Sequence, residues 1–213
     1  MIGEHRRAAD PVWGCVLIGG KSRRMGRPKH LLPQEGCTWL ERTVALLRTK
    51  VEQVVIAGAG HVPASLAGER RVDDVPGLGG PLAGILAAFR RYPQVSWLVA
   101  ACDLPDMEAA ALQWLLDCRG PGVLAVMPDL AADGRIEPLL AYYDRRCRPL
   151  LEEMAVSGQQ RMNRLREAEG VITPQPPLFL RTSWRNVNTP QDLNRFAPCE
   201  KMPAGQPEET TEE

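Results

Sequence analysis

Segments rich in Val, Ile and Leu alternate along the chain with amphipathic stretches of helix length. That alternation predicts an α/β architecture on a largely parallel sheet. The apolar run Trp13 to Ile18 reads as the first strand, followed by a loop from Gly19 to Lys29. A helix is expected over about Trp39 to Lys50, where Leu40, Val44 and Leu47 recur at steps of three and four. Thr38 can cap its start, with Glu41 completing a capping box. A second strand, Gln53 to Ala57, ends in Gly58-Ala59-Gly60. The next helix opens at Pro81, a favoured first-turn residue, and runs to Arg91. The unbroken apolar run Trp97 to Cys102 fits a central parallel strand covered on both faces.

Beyond Asp103-Leu104-Pro105 the pattern predicts a helix from about Met107 to Cys118 and a strand from Gly122 to Met127. A hairpin-like return then leads through Ile136 to Tyr142, with Asp133-Gly134 at its turn. Helices around Arg146 to Ala155 and Gln160 to Ala168 precede a Pro-rich connector, Thr173 to Pro177, and a short strand near Trp184 to Val187. No internal repeat is present. From Ala197 the apolar periodicity stops, and Glu200 to Glu213 carries five Glu against one Lys. Residues 1–12 thus read as an N-terminal extension, 13–196 as one domain and 197–213 as a disordered acidic tail.

Composition narrows the class. Of 213 residues, 44% are hydrophobic and 24% charged, which suits a soluble globular chain. Gly and Pro, 19 each, favour short elements joined by turns over long helical bundles. Lys plus Arg equals Asp plus Glu at 26, so no net field recruits nucleic acid or an anionic membrane. The uncharged stretch Val75 to Phe89 is too short to span a bilayer and contains two prolines. Asp10 and Pro11 interrupt any signal-like pattern at the N-terminus. Six cysteines without a C-x-x-C pair fit a reducing cytoplasm better than a disulfide scaffold or zinc site.

Three stretches carry candidate chemistry. The loop after the first strand has the glycine pair Gly19-Gly20 and five cations, Lys21, Arg23, Arg24, Arg27 and Lys29, with no acid. Such a loop can hold phosphates, although a solvated basic turn reads the same way. A P-loop is disfavoured because Cys15 stands where its first glycine belongs. The second stretch, after Asp73-Asp74, packs four glycines and two prolines into Pro76 to Gly84. Its tight path suits a nucleoside or simply opens a helix, and it lacks the dinucleotide spacing G-x-G-x-x-G. The third is Asp103, at the carboxyl end of the most apolar strand, where a carboxylate can hold Mg²⁺ or cap a helix. The three histidines, His5, His30 and His61, receive no catalytic role.

Together these stretches resemble the molybdenum cofactor guanylyltransferases. The quoted motifs are Arg24-Met25-Gly26-Arg27-Pro28-Lys29, Asp74 before Pro76-Gly77-Leu78-Gly79-Gly80-Pro81-Leu82-Ala83-Gly84, Asp103-Leu104-Pro105, and Asn186-Val187-Asn188-Thr189-Pro190. The resemblance covers about residues 13 to 196. It implies a three-layer α/β/α Rossmann-like fold, mostly parallel with a small antiparallel hairpin excursion, and transfer of GMP from GTP to the terminal phosphate of molybdopterin with Mg²⁺ as cofactor. It further implies that Leu17, Ile18, Gly19, Gly20 and Asp74 hold the nucleotide, Lys29 its phosphates, Asp103 the metal, and the later hairpin with Asn186 and Asn188 the acceptor; Arg24, beside Lys29, can stabilise charge on the leaving pyrophosphate. Transient contacts with other proteins of molybdenum cofactor biosynthesis and with target molybdoenzymes are implied as well. Two positions depart from the family pattern. Pro28 replaces an Asp before the loop lysine, as in cytidylyltransferases of the same fold, and Ala57 replaces an Asn. Cytidylyl transfer to molybdopterin or to a sugar or polyol phosphate, and GTP binding without turnover, therefore remain the competing expectations.

Overall fold

The computed structural model describes residues 10–19, 28–188 and 191–192. In chain order its regular elements are β1 (Val12–Leu17), β2 (Pro33–Gln34), β3 (Cys37–Thr38), α1 (Trp39–Arg48), β4 (Val54–Ala57), β5 (Arg70–Val72), α2 (Gly80–Arg91), β6 (Ser96–Ala101), α3 (Ala109–Asp117), β7 (Ala125–Val126), β8 (Leu140–Tyr143), α4 (Arg148–Val156) and β9 (Val171–Ile172). Among the described residues seven strands join in one sheet, ordered β5-β4-β1-β6-β8-β7-β9, while β2 and β3 pair separately and antiparallel. The first four strands in that order run parallel, and β8 runs against both β6 and β7.

The period of two along each strand divides the core between two faces. Cys15, Val55, Trp97, Val99, Ala141 and Tyr143 face α2 and α4, meeting Leu82, Leu86, Phe89 and Leu151. Their neighbours Val16, Ile56, Leu98, Ala100, Leu140 and Tyr142 face α1 and α3, meeting Leu40, Val44, Leu47 and Leu112. The α/β/α layering follows from this division. At mid-strand, Gly14 lets α1 come close to the sheet: a β-carbon there would sit 3.1 Å from Leu47 Cδ1 and 3.3 Å from Val54 Cγ2. Thr38 Oγ1 accepts from the Glu41 amide while the Glu41 carboxylate accepts from the Thr38 amide, so the capping box forms as the sequence predicts. Such a cap contributes about 1 kcal/mol to its helix.

Several expectations are corrected. Val12 belongs to β1, not to an N-terminal extension, and Pro11 already accepts a hydrogen bond from the Ser96 amide. The segment expected as a helix over Gln160 to Ala168 is a 3₁₀ helix, Met162–Glu167. Its buried residues Met162 and Leu165 lie three apart, the spacing that stacks side chains on one face of a 3₁₀ turn. The strand expected near Trp184 to Val187 is absent. A 3₁₀ helix, Leu178–Trp184, ends there instead, and the buried Trp184 indole Nε1–H donates to Leu140 O at 2.8 Å. The five described cysteines are free thiols. The acidic tail, Gly20, Arg24 and the rest of the basic loop from 20 to 27 lie outside the described residues.

Candidate functional site

Parallel β1, β4 and β6 end on the same side of the sheet, and a cavity of about 620 Å³ opens there. Open α/β sheets bind ligands at this place, and the volume is that of a small-molecule site. Leu17, Ile18 and Gly19 leave β1 along its wall, Ala57 ends β4, and Asp103 follows β6. The opposite wall is the first turn of α2, with Gly80, Pro81 and Gly84. Among the described residues no side chain caps that helix N-terminus, so its amides remain available to an electron-rich ligand atom.

Asp103 and Lys29 form the charged centre. Lys29 Nζ donates to Asp103 Oδ2 at 2.8 Å and to Asn188 Oδ1 at 2.8 Å. The Lys29 and Asp103 side chains are only 16% and 19% exposed, so the pair is sheltered without being sealed from a ligand. The Val187 amide donates to Asp103 O at 3.1 Å, which brings the late Asn-Val-Asn segment to the end of β6. An ammonium has three N–H donors. With two used among the described residues, one remains for a ligand oxygen.

Asp74 lies on the far side, between β1 and α2. A β-carbon at Gly84 would come within 3.2 Å of Asp74 Oδ1, 3.1 Å of Leu17 Cδ2 and 3.4 Å of Ala57 Cβ, so glycine is what allows the carboxylate into this gap. Burial, and then the neighbouring Asp73, raise its carboxyl above the usual range. Among the described residues no hydrogen bond is donated to the Asp74 carboxylate. A partly desolvated acceptor of this kind is stabilised by a ligand that donates to it.

Covalent and general-base chemistry find no support in the cavity. Cys102 lines it, but burial, with Asp103 beside it, pushes the thiol up to about 12, so it stays protonated. His30 donates from Nε2 to His61 O at 2.9 Å, and burial lowers its basicity. Among the described residues no group of three or more His, Cys, Asp or Glu could enclose a metal ion. A lone carboxylate instead suits a hard cation that takes most of its ligands from water and phosphate.

The structure thus gathers Leu17, Ile18, Gly19, Lys29, Asp74 and Asp103 around one cavity and ties Asn188 to it through Lys29. Asn186 is half-buried beside Val187 and lines neither this cavity nor its neighbour. That neighbour is a slot of about 730 Å³ that shares Pro81 and Leu139 with the first and lies between Ile136–Leu139, on the hairpin toward which the resemblance sets the acceptor, and the 160–167 segment, which sequence reasoning did not connect with it.

Residues 14–172 match the MobA-like NTP transferase domain. A protein of Opitutus terrae named "Probable molybdenum cofactor guanylyltransferase" is 33% identical over 88% of this chain and 95% of its own length. One of Bacillus cytotoxicus with the same name is 25% identical over 89% and 98%. Among solved structures, molybdopterin-guanine dinucleotide biosynthesis protein A from Archaeoglobus fulgidus superposes with a TM-score of 0.71 at 29% identity, covering 86% of this chain and 95% of that one.

Proposed function

The chain belongs to the MobA-like NTP transferase family, and on that premise we propose that it transfers GMP from GTP to the terminal phosphate of molybdopterin. A phosphate oxygen of the acceptor attacks the α-phosphorus, the bond from that phosphorus to the α–β bridging oxygen breaks, and the electron pair leaves with pyrophosphate. The observation that carries this reading is the Lys29 ammonium, held between Asp103 and Asn188 at the mouth of the cavity.

Little else is required of the protein. A phosphate monoester is largely ionised near neutral pH, so the attacking oxygen needs no base. That agrees with the cavity, where the described residues include no competent histidine or thiolate. Lys29 meets charge that builds on the phosphates, and preorganised positive charge of this kind is a main source of acceleration in phosphoryl chemistry. Arg24, outside the described residues, is proposed to act beside it. Asp74 accepts from donors of the guanosine, while Leu17, Ile18, Gly19 and Gly20 give it a backbone platform.

Mg²⁺ belongs to the same proposal. Asp103 would hold it, since Lys29 engages Oδ2 and, among the described residues, Oδ1 is left for a hard cation. When bound, the ion neutralises charge on phosphate oxygens. The acceptor is proposed to occupy the adjoining slot, with contacts to other cofactor-biosynthesis proteins and molybdoenzymes beyond it. Free thiols agree with a cytoplasmic setting, and among the described residues no helix is long and apolar enough to cross a membrane.

The test is incubation of the purified chain with molybdopterin, Mg²⁺ and GTP, CTP or ATP in turn, reading pyrophosphate and the dinucleotide product. GTP is expected to be used at least about tenfold better, a difference that one or two base-edge hydrogen bonds supply. Equal use of CTP assigns the chain to cytidylyl transfer. Tight GTP binding with no pyrophosphate release makes it a binding module.

A further inference from the structure

On the wall of the slot beside the nucleotide cavity is a carboxylate to which, among the described residues, no hydrogen bond is donated. Glu137 lines it, half-buried, at the start of the turn that leads into β8. Its backbone is fixed from both sides: the Glu137 amide donates to Pro128 O at 2.8 Å, and the buried Tyr143 hydroxyl donates to Pro138 O at 2.8 Å. Pro138 further restricts the conformation of the residue before it. The facing wall is tied down where Arg166 Nη1 donates to Gly134 O at 2.5 Å. The slot is therefore a gap between two connected segments, open toward Pro81 and Leu139.

Among the described residues, no hydrogen bond is donated to the Glu137 carboxylate. Arg135, the nearest cation in sequence, pairs instead with Asp133 at 2.6 Å, and Arg164 across the slot pairs with Glu167 at 3.3 Å. Burial raises the Glu137 carboxyl above its usual range, with Arg135 only partly opposing it. A fixed, half-buried acceptor without a protein donor is a recognition element for a ligand that brings its own donors.

We infer that Glu137 reads the 2-amino-4-oxo edge of the acceptor's pterin ring, its two oxygens accepting from the ring N3–H and the exocyclic amino group. The inference rests on the function proposed above. Adjacent, parallel N–H donors on a planar ring fit a carboxylate as the arginine fork does. The pairing would set the ring in the slot with its phosphate-bearing side toward Lys29, and it distinguishes a pterin from a pteridine with oxygen in place of the amino group.

The experiment compares pterin with lumazine, its 2,4-dioxo counterpart, as inhibitors of GMP transfer to molybdopterin by the wild type and by Glu137→Ala and Glu137→Gln. The wild type is expected to bind pterin about tenfold more tightly than lumazine, the worth of one good hydrogen bond pair at a partly open site. Both variants should reduce that preference to within twofold and raise the KM for molybdopterin while leaving the KM for GTP unchanged. Retained melting temperature shows that the variants are folded. If the wild type transfers GMP to molybdopterin but the preference is absent, or survives in the variants, Glu137 is not the reader and the proposed function stands. If the wild type gives no transfer to molybdopterin, both fall together.

Discussion

Asn188→Ala separates two roles for the late Asn-Val-Asn segment. The family resemblance implies that Asn188 holds the acceptor, whereas the structure places its Oδ1 2.8 Å from Lys29 Nζ. If that contact orients the ammonium for the nucleotide, its loss is felt by GTP with no acceptor present. Hydrogen bonds to charged groups contribute about 1.5 to 3 kcal/mol. Asn188 is exposed, so water replaces part of what is lost, and Asp103 Oδ2 still holds Lys29 at 2.8 Å. About 1 kcal/mol is then a fair share for orientation, which corresponds to roughly fivefold in affinity. Isothermal titration of GTP into wild type and Asn188→Ala, with Mg²⁺ and without molybdopterin, reads this directly. A dissociation constant within twofold of wild type, together with a raised KM for molybdopterin, would refute the orienting role and return Asn188 to the acceptor.

Three other variants follow from the same geometry. Asp103→Asn keeps the side chain's size and removes the charge proposed to hold Mg²⁺, so turnover should fall by about 10² to 10³ while GTP affinity falls much less; a wild-type rate and Mg²⁺ dependence of pyrophosphate release would reduce Asp103 to a strand-end cap. Asp74→Asn should raise the melting temperature at pH 7 and weaken GTP binding. Because burial and Asp73 raise the Asp74 carboxyl in the folded state, the native protein binds more protons than the unfolded chain above the ordinary carboxylate pKa, and stability is lost as pH climbs through that window. The gain in melting temperature should therefore vanish on acidification below that range, and a gain unchanged by pH would sink the explanation. Gly84→Ala adds a methyl 3.2 Å from Asp74 Oδ1 and 3.1 Å from Leu17 Cδ2 in a helix that otherwise favours Ala by about 1 kcal/mol. GTP affinity should drop more than stability does, and equal titration curves for the two proteins would show that the gap tolerates the methyl.

Much of this arrangement was legible from periodicity because buried residues had to repeat. α1 shows its apolar step and its cap, and β6 has no polar residue after Ser96 because both its faces are covered. Other parts had no such imprint. β5 is an edge strand whose Arg70 and Arg71 point away from the core, and charges at an edge hide a strand from an apolar pattern while guarding it against pairing. Arg70 lies over the Trp13 ring at 5.5 Å, a contact no local pattern announces. Met162 and Leu165 sit three apart, which suits either kind of helix, and the segment is too short for the pattern to choose. Lys29, Asp74 and Asp103 were recognisable because each stands beside glycine, proline or a strand end. Glu137 was not, since a charged residue after a turn reads as solvated until the segment facing it is known.

The features around the cavity are those a fold under no further demand would change. An Ala at 84 would favour α2, a Ser or Asp at 79 would cap it, and an uncharged residue at 74 would remove a carboxylate disfavoured by partial desolvation and by Asp73. Gly79 offers no side-chain cap, and Gly84 leaves room for the Asp74 oxygens. Any one of these would be unremarkable alone. Their concentration on one wall, facing an ammonium held by two side-chain oxygens on the other, is better explained by a ligand that donates to Asp74 at one end and presents phosphate oxygens to Lys29 at the other. A nucleoside triphosphate has that polarity, with base and sugar N–H and O–H groups at one end and anionic oxygens at the other. On the proposed function, the substrate would lie with its base and sugar toward Asp74 and its phosphates toward Lys29.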